Sequence, residues 1–205
     1  MEFNIPKDKE EIIYKAAITE FAKEGYKNAS TNNIVKESNI SKGSLFKYFG
    51  NKKNLYIYVV RRSLKVLEDE LLEAMVELSD DMFERIVQTQ TIKIEMCYKY
   101  ELESKIIMEC FTKEEDEFRE ELKEQYSYYE KLAMELITKG IDYTKFKDGI
   151  DVKQVYSTLL YISYGYKEKL NMTYKDDIYL MMNDIDTIKK ELQVSIDLIK
   201  NSVYK

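Results

Sequence analysis

At 205 residues the chain can bury a real core in one or two packed domains, and 44% hydrophobic against 34% charged residues suits a globular protein. It has no His and only two Cys, which removes His-based general bases, Ser-His and Cys-His catalytic pairs and most zinc-ligand sets. A net charge of −6 argues against a nucleic-acid binder, but residues 1–62 carry twelve Lys/Arg against seven Asp/Glu, and the remaining 143 carry twenty against thirty-one. A basic head on an acidic body is the distribution of a chain that meets DNA with one end.

One Pro and six Gly leave little punctuation for a many-stranded sheet, and abundant Glu, Lys, Leu, Ile and Met favour helix. The expected fold class is all-α, with about nine helices. The opening MEFNIPKDKEE is charged and has no apolar signal core. No apolar run approaches the ~18 residues of a membrane span, so the expected location is cytoplasmic.

The first helix is predicted from Asp8, where Asp8-x-x-Glu11 has the form of a capping box, with Pro6 just outside and Gly25 as the stop. Ile12, Ile13, Ala16, Ala17 and Phe21 make its inner stripe. Thr31 can cap a second, short helix with Ile34 and Val35 facing inward. Glu37-Ser38-Asn39 then forms a corner, and Asn tolerates the left-handed conformation a corner needs. Ser41 caps the next helix, with Leu45, Tyr48 and Phe49 inward and Lys42, Ser44, Phe46 and Lys47 at its tip and outer face. A helix N-terminus carrying lysines and small polar residues suits a DNA major groove. Thr31–Lys53 reads as a helix-turn-helix.

Lys52 and Lys53 open a long helix expected to reach Leu78, with Leu55, Val59, Leu64, Leu67, Leu71 and Met75 at helical spacing. It joins a head, residues 1–52, to a body, residues 53–205, without a flexible linker, and that continuity is a mechanical route for a signal. Arg61 and Arg62, nearly three turns further on, read as solvated. A stripe of Phe83, Ile86/Val87, Gln90, Ile94 and Cys97 marks a helix over 81–100, and Ile106, Ile107, Cys110 and Phe111 another over 103–112. The stripe Phe118, Leu122, Gln125, Tyr129, Leu132 and Leu136 marks 113–139, with Gly140 at its end. IDYTKFKDGID, 141–151, is expected to be an exposed loop. Helices over 151–170 and 175–203 present apolar side chains on more than one face, Tyr156, Leu160 and Ile196 among them, and so need a second partner.

Ile12 to Tyr56, IIYKAAITEFAKEGYKNASTNNIVKESNISKGSLFKYFGNKKNLY, resembles the N-terminal domain of the tetracycline-repressor (TetR) family. AA-x-x-x-F-x-x-x-G-Y, the Thr after it and the S-K-G-S-L-[YF]-x-[HY]-F-x-x-K-x-x-L run carry the resemblance. Asn39 stands where the family usually has Gly, Phe46 where Tyr is common, and Tyr48 where His is common. The resemblance implies a homodimer through the last two long helices, a ligand-binding and dimerisation body, and a transcriptional regulator, most often a repressor, released from operator DNA by a small-molecule inducer. It also implies DNA contacts from Lys42, Gly43, Ser44, Phe46, Lys47 and Tyr48, with Thr31, Asn32 and Lys52 at the backbone.

Gln90 and Gln125 each interrupt an apolar stripe, and an unpaired buried amide costs roughly 1–3 kcal/mol. They either sit at a rim or serve a ligand. The ligand reading places a mostly apolar site among Gln90, Ile94, Cys97, Gln125, Tyr129 and Tyr166, without formal charge, for a neutral or weakly polar, partly aromatic molecule. Tyr98, Tyr126, Tyr161 and Tyr164 fall in segments that would surround it. Cys97 and Cys110 read as small buried apolar groups, with a redox sensor as the other reading. No phosphate loop, nucleophile elbow, metal cluster or cofactor motif appears, so an enzyme is not expected. A DNA-binding protein that senses no ligand is the rival.

Overall fold

The computed structural model describes residues 3–74, 78–112, 116–175 and 177–205. Among these there are ten α-helices and no strand: α1 Lys7–Asn28, α2 Thr31–Ser38, α3 Lys42–Phe49, α4 Lys52–Ala74, α5 Met82–Lys99, α6 Glu101–Thr112, α7 Asp116–Thr138, α8 Val152–Tyr174, α9 Ile178–Asn183 and α10 Ile185–Val203. Packing divides the chain into Met1–Glu70 with Tyr100–Tyr128, and Leu71–Lys99 with Tyr129–Lys205. This division follows contacts and differs from the expected head, 1–52, and body, 53–205.

In the first unit α1 buries Ile13, Tyr14, Ala17, Ile18, Phe21 and Ala22, while Ile12, expected inside, is half exposed. Two adjacent isoleucines are 100° apart on a helix, so only one can lie at the centre of the buried face. Pro6, not Asp8, precedes the helix, and its carbonyl accepts from the N–H groups of Lys9 and Glu10. Gly25 (φ 71°) breaks the helical path as its place before a corner requires, and α1 resumes to Asn28. α4 is buried continuously from Leu55 to Val60, on more than one helix face, as a helix packed by more than one partner is. Met75 falls outside the described residues, and Leu78 is not helical.

Polar groups in this unit bind one another. The Tyr14 hydroxyl lies 3.1 Å from Ser63 Oγ and donates to Glu103 at 3.2 Å, and Tyr58 donates to Glu10 at 3.0 Å. Arg62, expected in solvent, donates to Glu11 and to Tyr58 and lies 4.2 Å from the Tyr14 ring centroid. Arg61 donates from Nη2 to the Glu121 carbonyl at 2.9 Å. Both arginines are half-buried ties within the unit, and Glu121 and Glu11, which they reach, lie sixty and fifty-one residues away in the sequence. Burial pushes the Tyr58 hydroxyl up to about 12.

The second unit packs Met82, Phe83, Ile86, Ile137, Ile141, Phe146, Val155, Leu159, Leu192 and Ile196 into one core. The supposed loop 141–151 contributes Ile141 and Phe146 to it, turns through a single 3₁₀ turn at Tyr143–Lys145, and pairs Phe146 with Tyr204. Its hydrophobic pair is paid no attention by local spacing, because the partner lies nearly sixty residues away in the sequence. Arg85, buried, donates to the carbonyls of Ser79, Leu136 and Lys139, closing the C-terminal end of α7 with a cation. Asp81 caps α5 through the N–H groups of Phe83 and Glu84 and pairs with Lys200 at 2.9 Å. The single last helix foreseen over 175–203 is two, α9 and α10, broken at Asp184 (φ −101°, ψ 12°). Asp177 caps α9 through the N–H groups of Tyr179 and Leu180.

Candidate nucleic-acid interface

α2 and α3 are joined by a corner in which Asn39 takes φ 50°, ψ 37°, the left-handed conformation its amide side chain tolerates. Ser38, buried, turns its hydroxyl onto the Ile34 carbonyl at 2.6 Å. Ser41 caps α3, accepting from the Ser44 N–H at 3.0 Å, and its hydroxyl lies 2.8 Å from Ser44 Oγ. Leu45 and Phe49 fix the inner side of α3, and Phe49 joins a ring cluster with Tyr58 (5.2 Å) and Phe3 (5.3 Å). Asn54 then ties the end of α3 to the start of α4, donating to the Phe49 carbonyl at 2.8 Å.

The cap of α2 is Ser30 rather than Thr31, and the Ser30 side chain makes no capping hydrogen bond. Instead Glu20 of α1 reaches across, accepting from the Ser30 N–H at 2.7 Å and from the Asn33 amide at 3.1 Å. Local spacing carries no signal for Glu20, because its partners lie ten and more residues beyond it. Thr31 is half-buried in the first turn, and Asn32 is exposed.

On α3, Lys42, Gly43 and Lys47 are exposed, and Ser44, Phe46 and Tyr48 are half-buried. Tyr48 is therefore less inward, and Phe46 less outward, than the spacing suggested, since each flanks the buried pair Leu45 and Phe49. A Cβ on Gly43 would meet only Ser41 Oγ at 3.8 Å, so the fold does not require glycine there. Lys52 donates to the Lys27 carbonyl at 3.1 Å and lies 5.1 Å from the Tyr26 ring centroid, so it fastens the end of α1.

The residues expected around a ligand do not all fall in one compact unit. Gln125 lies in the first, half-buried, with its Oε1 buried and without a hydrogen-bond partner among the described residues. Gln90, Ile94, Cys97, Tyr129 and Tyr166 lie in the second, all half-buried. There Ile94 and Tyr166 pack against Leu170, Met181 and Ile188. The Tyr166 hydroxyl donates to the Ile188 carbonyl at 2.8 Å and lines a surface cleft of about 440 Å³ with Lys169, Lys190, Glu191, Val194 and Ser195. Tyr98, Tyr161 and Tyr164 are exposed, and the Tyr126 side chain lies outside the described residues. Cys110 is buried and Cys97 half-buried. Among the described residues no cluster of three metal-ligating side chains occurs, and no helix is long and apolar enough to cross a membrane.

A short helix-turn-helix braced by α1, with a capped outer helix bearing two exposed lysines, defines a DNA-binding class of protein. Residues 13–59 match the model of bacterial regulatory proteins of the tetR family. An HTH-type transcriptional regulator of Staphylococcus aureus strain USA300 is 28% identical over 142 residues, 67% of this chain and 70% of that one. Solved structures share the whole fold. A TetR family transcriptional regulator from Chloroflexus aurantiacus J-10-FL superposes with a TM-score of 0.64 at 16% identity, covering 98% of this chain and 96% of that one. The transcriptional regulator FadR from Bacillus subtilis, in complex with stearoyl-CoA, gives 0.64 at 18% identity, covering 89% and 96%. Residues 13–59 thus carry a tetR-type DNA-binding helix-turn-helix, and the chain as a whole is similar to HTH-type transcriptional regulators and shares the fold of TetR family structures.

Proposed function

We propose that the protein is a ligand-responsive repressor that holds operator DNA as a homodimer and leaves it when a small molecule binds the body. The observation that carries the reading is the exposed tip of α3, where Lys42, Gly43 and Lys47 project from a helix fixed by Leu45 and Phe49. In this reading Lys42, Gly43, Ser44, Phe46, Lys47 and Tyr48 meet the major groove, and Thr31, Asn32 and Lys52 meet phosphates. Phosphate contacts supply most of the affinity, and base edges the discrimination. Residues 1–52 form the DNA-binding head, residues 53–205 bind ligand and dimerise, and the protein works in the cytoplasm.

The dimer is supported by the outer faces of α8 and α10. Leu160, Tyr161 and Tyr164 on α8 and Val194 and Leu198 on α10 are exposed, with Tyr161 74% and Leu198 70% accessible. Their spacings put each group on one helix face, and an apolar face left open on two long helices suits a second copy. Ile196, counted among the surplus apolar residues in the sequence, is fully buried in its own core. The inducer reading is supported by the interrupted stripe at Gln125, whose buried Oε1 has no partner among the described residues, and by the stearoyl-CoA held by the Bacillus subtilis FadR neighbour. A ligand releases DNA only if it binds the non-DNA conformation better than the DNA-bound one.

Selection from a pool of random duplexes tests the reading. A two-fold symmetric sequence with half-sites about one DNA turn apart is expected. Recovery of no enriched sequence would defeat it.

A further inference from the structure

We propose that Glu121, on the part of α7 that packs in the first unit, is an internal competitor for DNA phosphate that holds Lys53 and so lowers the affinity of the head for DNA. The inference rests on the DNA-binding reading above. Two residues separate α3 from α4, whose first turn is closed by Asn51, its Oδ1 accepting from the Asn54 N–H at 2.8 Å. Lys53 stands in that first turn, at the positive end of the helix dipole and just beyond the recognition helix, where an anion is favoured. The anion that occupies it is a carboxylate of the same chain. Lys53 Nζ lies 2.5 Å from Glu121 Oε1, and its ammonium lies 5.9 Å from the Phe118 ring centroid.

Glu121 is held in place independently of that pair. Its backbone carbonyl accepts from Arg61 Nη2 at 2.9 Å. The flanking Phe118 and Leu122 are buried, and Phe118 packs on Tyr26 (4.7 Å) and Tyr56 (4.8 Å). The carboxylate is thus presented to Lys53 by a fixed backbone rather than by a side chain searching through solvent. The hydrogen bond from Lys53 holds the Glu121 carboxyl below its ordinary range. Both side chains are about one-third exposed, 31% for Lys53 and 34% for Glu121, so the pair is weak enough for a phosphate to displace the carboxylate. Each head that engages DNA through Lys53 must first break this pair. A change at α7 that draws Glu121 away makes the lysine available without any movement of α3.

The experiment uses the full chain and a short random-sequence duplex, titrated across salt. Glu121→Gln keeps the carbonyl bond to Arg61 and is expected to bind about threefold to fivefold tighter at low salt. Its log–log salt slope should steepen by roughly one unit, for one added phosphate contact. Lys53→Gln alone should change little, and in the Glu121→Gln background it should cancel the gain. Glu120→Gln, an exposed neighbour on the same helix, controls for charge alone and should not reproduce it. If Glu121→Gln does not fold, Glu121→Asp, which withdraws the carboxylate by one methylene, should show the same direction with a smaller gain. The proposal is overturned if Glu121→Gln or a folded Glu121→Asp binds no tighter than wild type, or if the gain survives Lys53→Gln. A wild type that binds no duplex defeats the DNA-binding reading itself, and the competitor with it; a wild type that binds while the variants show no gain defeats the competitor alone.

Discussion

The two compact units treat their surfaces in opposite ways. The first closes its polar groups on itself: Tyr14 with Ser63 and Glu103, Tyr58 with Glu10, Arg62 with Glu11, and Lys53 with Glu121. Its exposed large apolar residues, Ile12, Leu102, Met108 and Tyr128, are scattered over three helices. The second keeps its strongest polar ties, Arg85 to the end of α7 and Asp81 to Lys200, beside its core, and leaves Leu160, Tyr161, Tyr164, Val194 and Leu198 open. Scattered apolar residues are ordinary on any surface, whereas a run along two long helix faces marks an association site. The difference teaches that the first unit uses its polar groups to hold its own shape, whereas the second leaves open the apolar faces that the proposed dimer would use.

The largest effect should follow from putting a charge on the open face. Leu160→Glu is expected to give monomers and to abolish tight operator binding, since one head can occupy only one half-site. Sedimentation reads the first effect and a DNA titration the second. Monomers that still bind a two-fold site tightly would break the comparison.

A smaller effect should mark the ties beside the second core. Burial would raise the Asp81 carboxyl, but the hydrogen bond from Lys200 and those from the N–H groups of Glu84 and Phe83 outweigh it and hold it below the ordinary Asp value of 3.8. A lowered folded value means that the charged form is favoured by folding. The stabilisation is therefore fully present well above 3.8 and is lost as pH falls through the folded value. Asp81→Asn retains a cap oxygen and loses the Lys200 charge pair, so it should cost ~1 kcal/mol at neutral pH and little at low pH. Melting curves across acid pH check this, and an equal loss at every pH would show that Asp81 acts through packing.

The smallest effect belongs to the exposed tip of the head. Lys47→Ala should leave the fold unchanged, weaken binding to all duplexes alike and reduce the salt slope by roughly one unit. An unchanged slope would show that Lys47 points away from the phosphates.

What the sequence made legible was local. The left-handed turn at Asn39, the cap at Ser41 and the burial of Leu45 and Phe49 each depend on residues within four positions, and each lies where the spacing put it. The α2 cap at Ser30 was missed because Glu20 reaches it across a corner, and Arg61 and Arg62 were read as solvated because their partners lie fifty to sixty residues away. Phe146 reads as loop because most of the residues that make its place a core, Tyr204 and Phe83 among them, lie far along the chain. The break at Asp184 interrupts an apolar pattern that continues from Met181 to Ile188, so periodicity alone ran through it. Of the candidate ligand residues, Gln125 stands out by interrupting its stripe and is half-buried with a buried Oε1, whereas the outward course of Tyr161 and Tyr164 carries no signal. A helix that is apolar on two faces does not say which face its own chain will cover.

The most direct test of the opposed surfaces is sedimentation velocity on the wild-type protein at micromolar concentration without DNA. A single species at the mass of two chains is expected, with Leu160→Glu at the mass of one. A wild type that sediments as a monomer would contradict the reading of α8 and α10 as the face that meets a second copy.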